Sequence, residues 1–317
     1  MAVHFIATAT IFRLLGRFTC DRSSSAFSFP SRKRCFVIRR SKQIMKAPSL
    51  ILFTALISSA APFIASLSAA EGKPLGYQTT PLIPGTKWHV HDGERPQPKT
   101  VTPGEPSTSD KAGTAPNDAT VLFDGTNLAA WKSGDADARW KVENGYIEVD
   151  PKTGTLTTRG EFGPDVQLHI EFATPPPEGD GQARGNSGVF FYGRYEIQVL
   201  DCFNNPTYPD GMATAVYGQS PPLVNASKPP GTWQTYDIIF NGPRFKDGQL
   251  EKPAFVTIIH NGVLTQNHTQ LTGNTPHQGV GKYEPHPEKG SISLQDHGNP
   301  MRFRNIWIRE LKPVEAP

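Results

Sequence analysis

Cysteine is scarce in this chain, in which Cys20, Cys35 and Cys202 are the only three among 317 residues. The first two lie in an N-terminal stretch with the character of a discarded leader, so Cys202 alone would remain in a mature protein. Because one cysteine cannot form an internal disulfide, a packed core must hold the fold, and about 190 residues of domain suffice for that. We expect Cys202 to be a half-buried structural thiol rather than a nucleophile.

Acidic residues are nearly absent from residues 1–70, which hold one of the 29 acidic residues and ten of the 32 basic ones. The remaining 22 basic and 28 acidic residues give the rest of the chain a formal net charge of −6, against +3 for the whole sequence. After Met45 and Lys46, an apolar stretch at 49–67 leads to small residues at 68–70. This order is typical of a secretory signal peptide.

The N-terminal pattern predicts an exported protein, periplasmic or secreted. We expect Met45 to be the true start, which leaves the translation of residues 1–44 open. A membrane anchor is the alternative, because the apolar run approaches spanning length, but Pro62 and the small residues that follow the run favour cleavage. The pair Arg39-Arg40 is weak evidence for twin-arginine export, since the residues after it are not apolar.

Several motifs of catalysis and cofactor binding are also missing. The sequence has no phosphate-binding glycine loop, no G-x-S-x-G, no C-x-x-C and no H-E-x-x-H, so a closed zinc site is not expected. Beyond residue 70 it has neither a second long apolar run nor a basic patch. We therefore expect no nucleic-acid partner and no stable membrane span once the signal peptide is removed.

Two regions of different amino-acid composition and patterning follow residue 70. Residues 71–118 are rich in Pro, Thr, Gly and Lys, which indicates an extended arm or linker. Residues 119–313 alternate short β-like runs with turn signals such as Asn144-Gly145 and Asn261-Gly262, which predicts an all-β domain and, at this length, a two-sheet jelly roll. The predicted strands are 119–123, 138–142, 145–149, 154–158, 166–173, 187–192, 194–200, 233–240, 254–260, 263–266, 291–295 and 302–311.

Alternation along these strands separates a core face from a polar face. We expect one face of each sheet to pack inward and the other to face water or a ligand. Every second residue from Tyr195 to Val199 is apolar and must face the core. Glu196 and Gln198 then lie side by side on the opposite face, about 7 Å apart along the strand. Considered by itself, this strand could equally have Glu196 and Gln198 on a solvated sheet face without a function.

Residues 291–298 add a second polar strand end. The apolar residues of this segment point to the core by the same alternation, so Gln295 points outward before Asp296 and His297. A histidine beside a carboxylate at a strand end can be a general acid or base, or a metal ligand. Amides pair with vicinal hydroxyls and aromatic faces cover C–H patches, so a polar sheet face of this kind suits a sugar.

An ordered set of motifs runs through about residues 119–312. The motifs are V-L-F-D-G (121–125), W-K-V-E-N-G (140–145), N-S-G-V-F (186–190), Y-E-I-Q-V-L-D (195–201), Y-G (217–218), W-Q-T-Y-D (233–237), H-N-G-V (260–263) and L-Q-D-H-G-N-P-M-R-F-R-N-I-W-I-R (294–309). In this order they resemble the DUF1080 family, the 3-keto-disaccharide hydrolase or 3-keto-glucoside 1,2-lyase/hydratase domain. The resemblance implies a concanavalin-like jelly-roll β-sandwich of two antiparallel sheets and an activity on 3-keto-glycosides.

Cleavage of a 3-keto-glycoside sets its own chemical requirements. The C3 ketone acidifies the C2 proton, so a base removes that proton, the C1 substituent leaves by β-elimination, and addition of water gives net hydrolysis. The reaction needs a base, an acid for the leaving oxygen and an electrophile at the ketone oxygen. We expect Glu196 and His297 to be the catalytic acid/base pair.

Further residues are candidates for substrate binding. Asn186, Gln198 and Gln295 are expected to orient sugar hydroxyls. Tyr217 lies in a long Pro-rich loop, 205–230, which we expect to cap the polar sheet face, and it is a candidate site residue for that reason.

The ketone oxygen needs a polarising group, for which the sequence leaves three candidates. They are His260, Arg302 and a bound divalent metal ion. Asp296 and His297 are weak candidates for ligands of such a metal. No other cofactor is expected.

Two rival functions follow from the same residues. A non-catalytic carbohydrate-binding module would use the same fold and the same polar face as a lectin surface. An ordinary glycoside hydrolase would need a second carboxylate about 5–10 Å from Glu196, and Glu171 and Asp296 are the candidates.

Overall fold

Residues 75–312 are the part of the chain that the computed structural model describes. The predicted signal peptide and the expected start at Met45 lie outside the described residues. Across 75–312 no helix has the length and apolar character that a membrane crossing requires.

Two short 3₁₀ helices span Gly181–Ala183 and Pro209–Gly211. The strands are β1 (Thr120–Phe123), β2 (Trp131–Ser133), β3 (Ala136–Asp137), β4 (Lys141–Glu143), β5 (Tyr146–Glu148), β6 (Leu156–Thr158), β7 (Asp165–Ala173), β8 (Asn186–Phe191), β9 (Tyr195–Leu200), β10 (Gln234–Asn241), β11 (Arg244–Lys246), β12 (Gln249–Lys252), β13 (Phe255–His260), β14 (Val263–Gln270), β15 (Ile292–Leu294) and β16 (Arg302–Glu310).

Two antiparallel sheets form the domain. The larger has eight strands in the order β14-β13-β10-β7-β16-β5-β4, and β1 pairs with the remaining free length of β16. The smaller has six strands in the order β3-β2-β6-β15-β8-β9. Strands β11 and β12 pair as a separate ribbon. The chain passes repeatedly from one sheet to the other, which confirms the predicted all-β, concanavalin-like jelly-roll β-sandwich.

The core lies between the two sheets, where the alternation of side chains places it. Every second residue of β7 from Val166 to Phe172 is completely buried. From the smaller sheet, Phe191 stacks on Phe240 of the larger with ring centroids 4.3 Å apart, and Tyr195 lies 5.8 Å from the same ring. These aromatic contacts join the inner faces of the two sheets.

Asn-Gly turns reverse the chain at two hairpins. Asn144 and Gly145, between β4 and β5, have φ angles of 47° and 79°. Asn261 and Gly262, between β13 and β14, have φ angles of 52° and 82°. Two consecutive residues with positive φ make the tight hairpin turn that Asn-Gly favours.

The arm covers part of the outer face of the larger sheet. Ser107 hydrogen-bonds to the carboxylate of Glu171 on β7, and Arg304 on β16 donates from Nη2 to the carbonyl of Thr108 at 2.6 Å. Glu171 is completely buried beneath these contacts. The polar face of β7 is therefore occupied at this position by the chain's own arm.

Candidate active site

The strand register brings polar side chains together on the outer face of the smaller sheet. Strand β8 pairs with β9 so that Gly188 faces Gln198 and Phe190 faces Glu196. Strand β15 lies on the other side of β8 and pairs Ser293 with Phe190. Because the residues between these face the core, the sheet displays a polar patch around one aromatic ring.

A cavity of about 450 Å³ lies over this patch. Its floor comes from β8, β9 and the end of β15, and its walls come from three loops. The lining residues are Gln182, Asn186, Phe190, Glu196, Gln198, Tyr208, Tyr217, Thr275, His277, Gln295 and His297.

Glu196 has the most unusual environment in the cavity. Only 5% of the residue is exposed, and its carboxylate forms no ion pair within the described part of the chain. Burial raises the pKa of Glu196 from 4.5 to about 8, since nothing charged offsets the loss of water. A carboxyl group with such a pKa is a strong base once it is ionised.

Gly188 makes room for this carboxylate. A Cβ atom at position 188 would overlap Oε1 of Glu196, and it would lie 2.9 Å from the Phe190 ring. The glycine of N-S-G-V-F therefore lets the carboxyl group of Glu196 lie flat across the neighbouring strand.

Amide groups continue the floor beside the carboxyl group. Gln198 donates from Nε2 to Oε1 of Gln182 at 2.9 Å, and Asn186 donates to the Gln182 carbonyl at 2.7 Å. With the Gln198 amide turned over, its nitrogen lies 3.1 Å from Oε1 of Glu196. The amide of Gln295 has no hydrogen-bond partner among residues 75–312, so it is free to bind a ligand.

The long loop after β9 forms one wall because it is fixed to that edge strand. The backbone N–H of Tyr217 donates to the carbonyl of Glu196 at 3.2 Å. At the same wall, the hydroxyl groups of Tyr208 and Tyr217 lie 3.2 Å apart. Burial, together with the hydrogen bond to Tyr208, raises the pKa of Tyr217. The loop therefore contributes two tyrosine hydroxyl groups to the cavity wall.

A neighbouring section of wall, along the same edge of β9, is anchored by Thr275. Its Oγ1 accepts a hydrogen bond from the N–H of Glu196 at 2.9 Å and donates one to the carbonyl of Arg194 at 3.1 Å. His277 follows on the same loop and, like His297, is an exposed side chain that lines the cavity. Two histidines therefore reach the opening of a cavity whose floor holds a buried carboxyl group.

Residues 118–309 match the family described as the 3-keto-alpha-glucoside-1,2-lyase-like domain. The chain belongs to this family. A 3-keto-disaccharide hydrolase of Bacteroides thetaiotaomicron is 23% identical over 234 residues, which cover 60% of this chain and 78% of the relative. A solved structure of a "putative glycosyl hydrolase" from Parabacteroides distasonis is 44% identical with a TM-score of 0.66, and it covers 73% of this chain and 100% of its own.

Six residues that the sequence singled out line one cavity of the lyase-like domain. The catalytic prediction rests on Glu196 and His297, and both are present there. The four predicted binding residues that accompany them are Asn186, Gln198, Tyr217 and Gln295.

The expectation that His260 and Arg302 act at the same site does not agree with their positions. His260 is 1% exposed on the inner side of the larger sheet, where it contacts Gln234 at 3.1 Å, and burial lowers its pKa to about 3. Arg302 lies on β16 of the same sheet and pairs with Glu148 at 2.7 Å. Neither lines the cavity, because alternation assigns a face but not the sheet to which a strand belongs.

The candidates for a second carboxylate also lie elsewhere. Glu171 is on the outer face of the larger sheet, whereas Glu196 is on the outer face of the smaller one. Asp296 accepts hydrogen bonds from the N–H groups of Gly154 at 3.1 Å and Gly298 at 3.0 Å, so its carboxylate holds the turn that contains His297. Among residues 75–312, no three His, Cys, Asp or Glu side chains are grouped to hold a metal ion.

Several cavity residues were not predicted from the sequence. Alternation could have indicated Phe190, since it is four residues after Asn186 on the same strand and therefore shares its face. Gln182, Thr275 and His277 lie outside the regular strands, where no periodicity indicates which way a side chain points. Tyr208 lies within the capping loop but was not itself assigned to the site.

Proposed function

We propose that the protein is a carbohydrate-active enzyme that cleaves 3-keto-glycosides with Glu196 as the base. The observation that carries the proposal is the Glu196 carboxyl group, buried at the floor of a sugar-sized cavity, without a charged partner among the described residues. Membership of the 3-keto-alpha-glucoside-1,2-lyase-like family supports the same chemistry.

The first step removes the proton from C2. The carboxylate of Glu196 takes this proton, and the electron pair of the C2–H bond moves towards the ketone, so that an enolate forms. N–H and O–H groups that line the cavity stabilise the charge that develops on the ketone oxygen. The free amide of Gln295 and the hydroxyl of Tyr217 are the donors that the cavity offers for this role.

The second step breaks the bond between C1 and the leaving oxygen. The enolate electrons form the C1–C2 double bond, and a histidine at the opening of the cavity, His297 in our proposal, protonates the leaving oxygen. The product is a 2-hydroxy-glycal that retains its ketone, together with an alcohol. Addition of water completes net hydrolysis: the hydroxyl of water adds to C1, Glu196 returns its proton to C2 and becomes ionised again, and the remaining proton of water restores His297.

Two substrates that differ only in the oxidation state of C3 test the proposed function. We expect the purified protein to cleave a 3-keto-glucoside and to leave the matching plain glucoside intact, since only the ketone acidifies C2. Glu196→Gln should lower kcat by at least about 100-fold, within the range of general base catalysis, and His297→Ala should lower it less for an activated aryl leaving group. Equal cleavage of both sugars, or full activity in both variants, contradicts the proposal.

The same experiment separates the enzyme from a carbohydrate-binding module. A module would bind the 3-keto-sugar without turnover, and Phe190→Ala would weaken binding more than Glu196→Gln. Calorimetric titration of the three proteins with the 3-keto-glucoside measures this difference.

A further inference from the structure

The row of side chains that contains Glu196 and Gln198 continues to a third residue. Arg194 precedes β9 by one residue and lies two positions before Glu196, so the three side chains follow one another on the outer face at about 7 Å intervals. Arg194 stands where the β8–β9 hairpin turns, at the end of the site away from Gln198.

A second cavity, of about 480 Å³, opens beside this arginine. It shares Phe190 and Thr275 with the cavity over Glu196, and its other lining residues include Gly193, Arg194 and Asn274. The ring of Phe190 is thus a common floor for both cavities. The two spaces are neighbouring sections of a single groove along the sheet.

The wall of this groove is fixed to β9, the strand that carries Glu196. Both the N–H and the hydroxyl of Thr275 donate to the carbonyl of Arg194, at 3.0 and 3.1 Å, while Oγ1 accepts from the N–H of Glu196. A ligand held against this wall therefore has a set distance from the Glu196 carboxyl group.

The guanidinium group of Arg194 is available to such a ligand. Its side chain is 36% exposed, and the acidic group paired with it among the described residues is Glu284, at the long distance of 3.7 Å. Glu284 has a closer partner in Lys282, at 3.0 Å. Arg194 consequently keeps donors free for hydroxyl groups, which a planar guanidinium binds in pairs.

We propose that this second cavity is the leaving-group subsite and that Arg194 selects a hydroxylated leaving group, a second sugar, over an alkyl group. The inference rests on the proposed function, in which the bond broken is at C1, next to the carbon that Glu196 deprotonates. The leaving group must then lie no farther from Glu196 than about the width of one sugar ring. Arg194, about 7 Å from Glu196 along the strand, is at the start of the groove section that a leaving group at that distance would occupy. Phe190, shared by both cavities, offers its face to the C–H side of the ring.

Arg194→Ala tests the assignment with two substrates that differ only in their leaving group. We expect kcat/KM for a 3-keto-disaccharide to fall about tenfold or more, the usual loss for a hydrogen bond to a charged group. The value for methyl 3-keto-glucoside, of the same anomer, should stay within about twofold of the wild-type value. Arg194→Lys should lose less on the disaccharide, and Arg159→Ala, which removes an exposed arginine paired with Asp137, is the matched control.

Binding gives a readout that does not depend on turnover. In the Glu196→Gln background, Arg194→Ala should weaken calorimetric binding of the 3-keto-disaccharide by the same factor and leave binding of the methyl glycoside unchanged. Thermal melts of each variant identify any loss that comes from misfolding.

The outcomes distinguish this inference from the proposed function. If the wild-type protein cleaves both substrates and Arg194→Ala lowers both equally, or lowers neither, the subsite assignment is wrong and the function stands. If the wild-type protein cleaves neither, the proposed function fails, and the subsite assignment fails with it.

Discussion

A Cβ atom on residue 188 would overlap Oε1 of Glu196 and lie 3.0 Å from Cδ of the same side chain. Gly188 has no positive φ angle, so alanine suits its backbone, and the conflict is with the Glu196 carboxyl group first and the edge of the Phe190 ring second. We expect Gly188→Ala to turn Glu196 away from its position and to lower kcat/KM on a 3-keto-glucoside by about 100-fold, since small displacements of a catalytic group have effects of this size.

The comparison with a second glycine makes this prediction specific. Gly160 is exposed, and its added Cβ would meet only the tip of the Phe162 ring, at 3.3 Å. Steady-state kinetics should show little change for Gly160→Ala. Wild-type kcat/KM in Gly188→Ala would mean that the carboxyl group does not need its present position.

At the scale of strands and segments, the arm is held by a buried ion pair. Nε of Arg304 contacts Oε2 of Glu171 at 2.7 Å, and Nδ2 of Asn305 donates to Oε1 of the same carboxylate at 2.7 Å. Asn305 has a φ of 46° within a bulge of β16, which turns its amide towards Glu171. Together with Ser107 of the arm, these groups satisfy a carboxylate that has no access to water.

Removing this carboxylate should release the arm. Glu171→Gln leaves Arg304 buried without its counter-charge, so we expect a loss of about 3 kcal/mol in the free energy of unfolding. Limited proteolysis between residues 99 and 118 should become faster. Denaturant melts provide the stability measurement.

Another pair on the same strand supplies the control. Nε of Arg302 contacts Oε2 of Glu148 at the same distance of 2.7 Å, but half of the Arg302 side chain is exposed. Glu148→Gln should therefore cost less than about 1 kcal/mol and leave the arm protected. Equal losses in the two variants would show that the arm does not bury the Glu171 pair in solution.

The elements also show what sequence patterns can and cannot establish. Strands β7, β9 and β16 are where alternation predicts them, because each has one face against the core. The ribbon β11–β12 and the short strands β2 and β3 were not predicted, since they have too few buried positions to create a period.

The candidate site was predictable to the extent that it lies on regular strands. Asn186, Glu196 and Gln198 follow from side-chain alternation, whereas the loop residues Thr275 and His277 depend on long-range contacts that leave no local pattern. His260 was expected at the site, but it faces the core from a strand of the other sheet, because strand order within a sandwich comes from the whole chain.

At the scale of the whole molecule, three buried groups give stability a pH dependence. Hydrogen bonds to Asp237 and Glu171 outweigh the effect of burial and raise the pKa of His169 from 6.5 to about 9. Burial opposes ionisation of Glu171 too, but hydrogen bonds from His169, Ser107, Asn305 and Arg304 lower its pKa from 4.5 to about 2.

The direction of each effect follows from these shifts. The stabilisation from His169 is complete below pH 6.5 and is lost as the pH rises through about 9. The stabilisation from Glu171 is present above pH 4.5 and is lost as the pH falls through about 2. Glu196 acts in the opposite sense to Glu171: its unfolded form ionises near pH 4.5 and its folded form near pH 8, so ionisation destabilises the fold progressively over that interval.

Activity and stability should therefore change in opposite directions between pH 5 and pH 9. The thermal midpoint should fall as His169 and Glu196 lose their protons. On a 3-keto-glucoside with an activated aryl leaving group, which depends least on His297 as the acid, kcat/KM should rise through about pH 8 as Glu196 becomes a base. Glu196→Gln isolates one contribution, since glutamine does not ionise. Its free energy of unfolding should match that of the wild-type protein near pH 4 and exceed it by on the order of 4 kcal/mol above pH 8. A difference that stays constant with pH would mean that Glu196 ionises in the folded protein as it does in water, and the case for this residue as the base would then be lost.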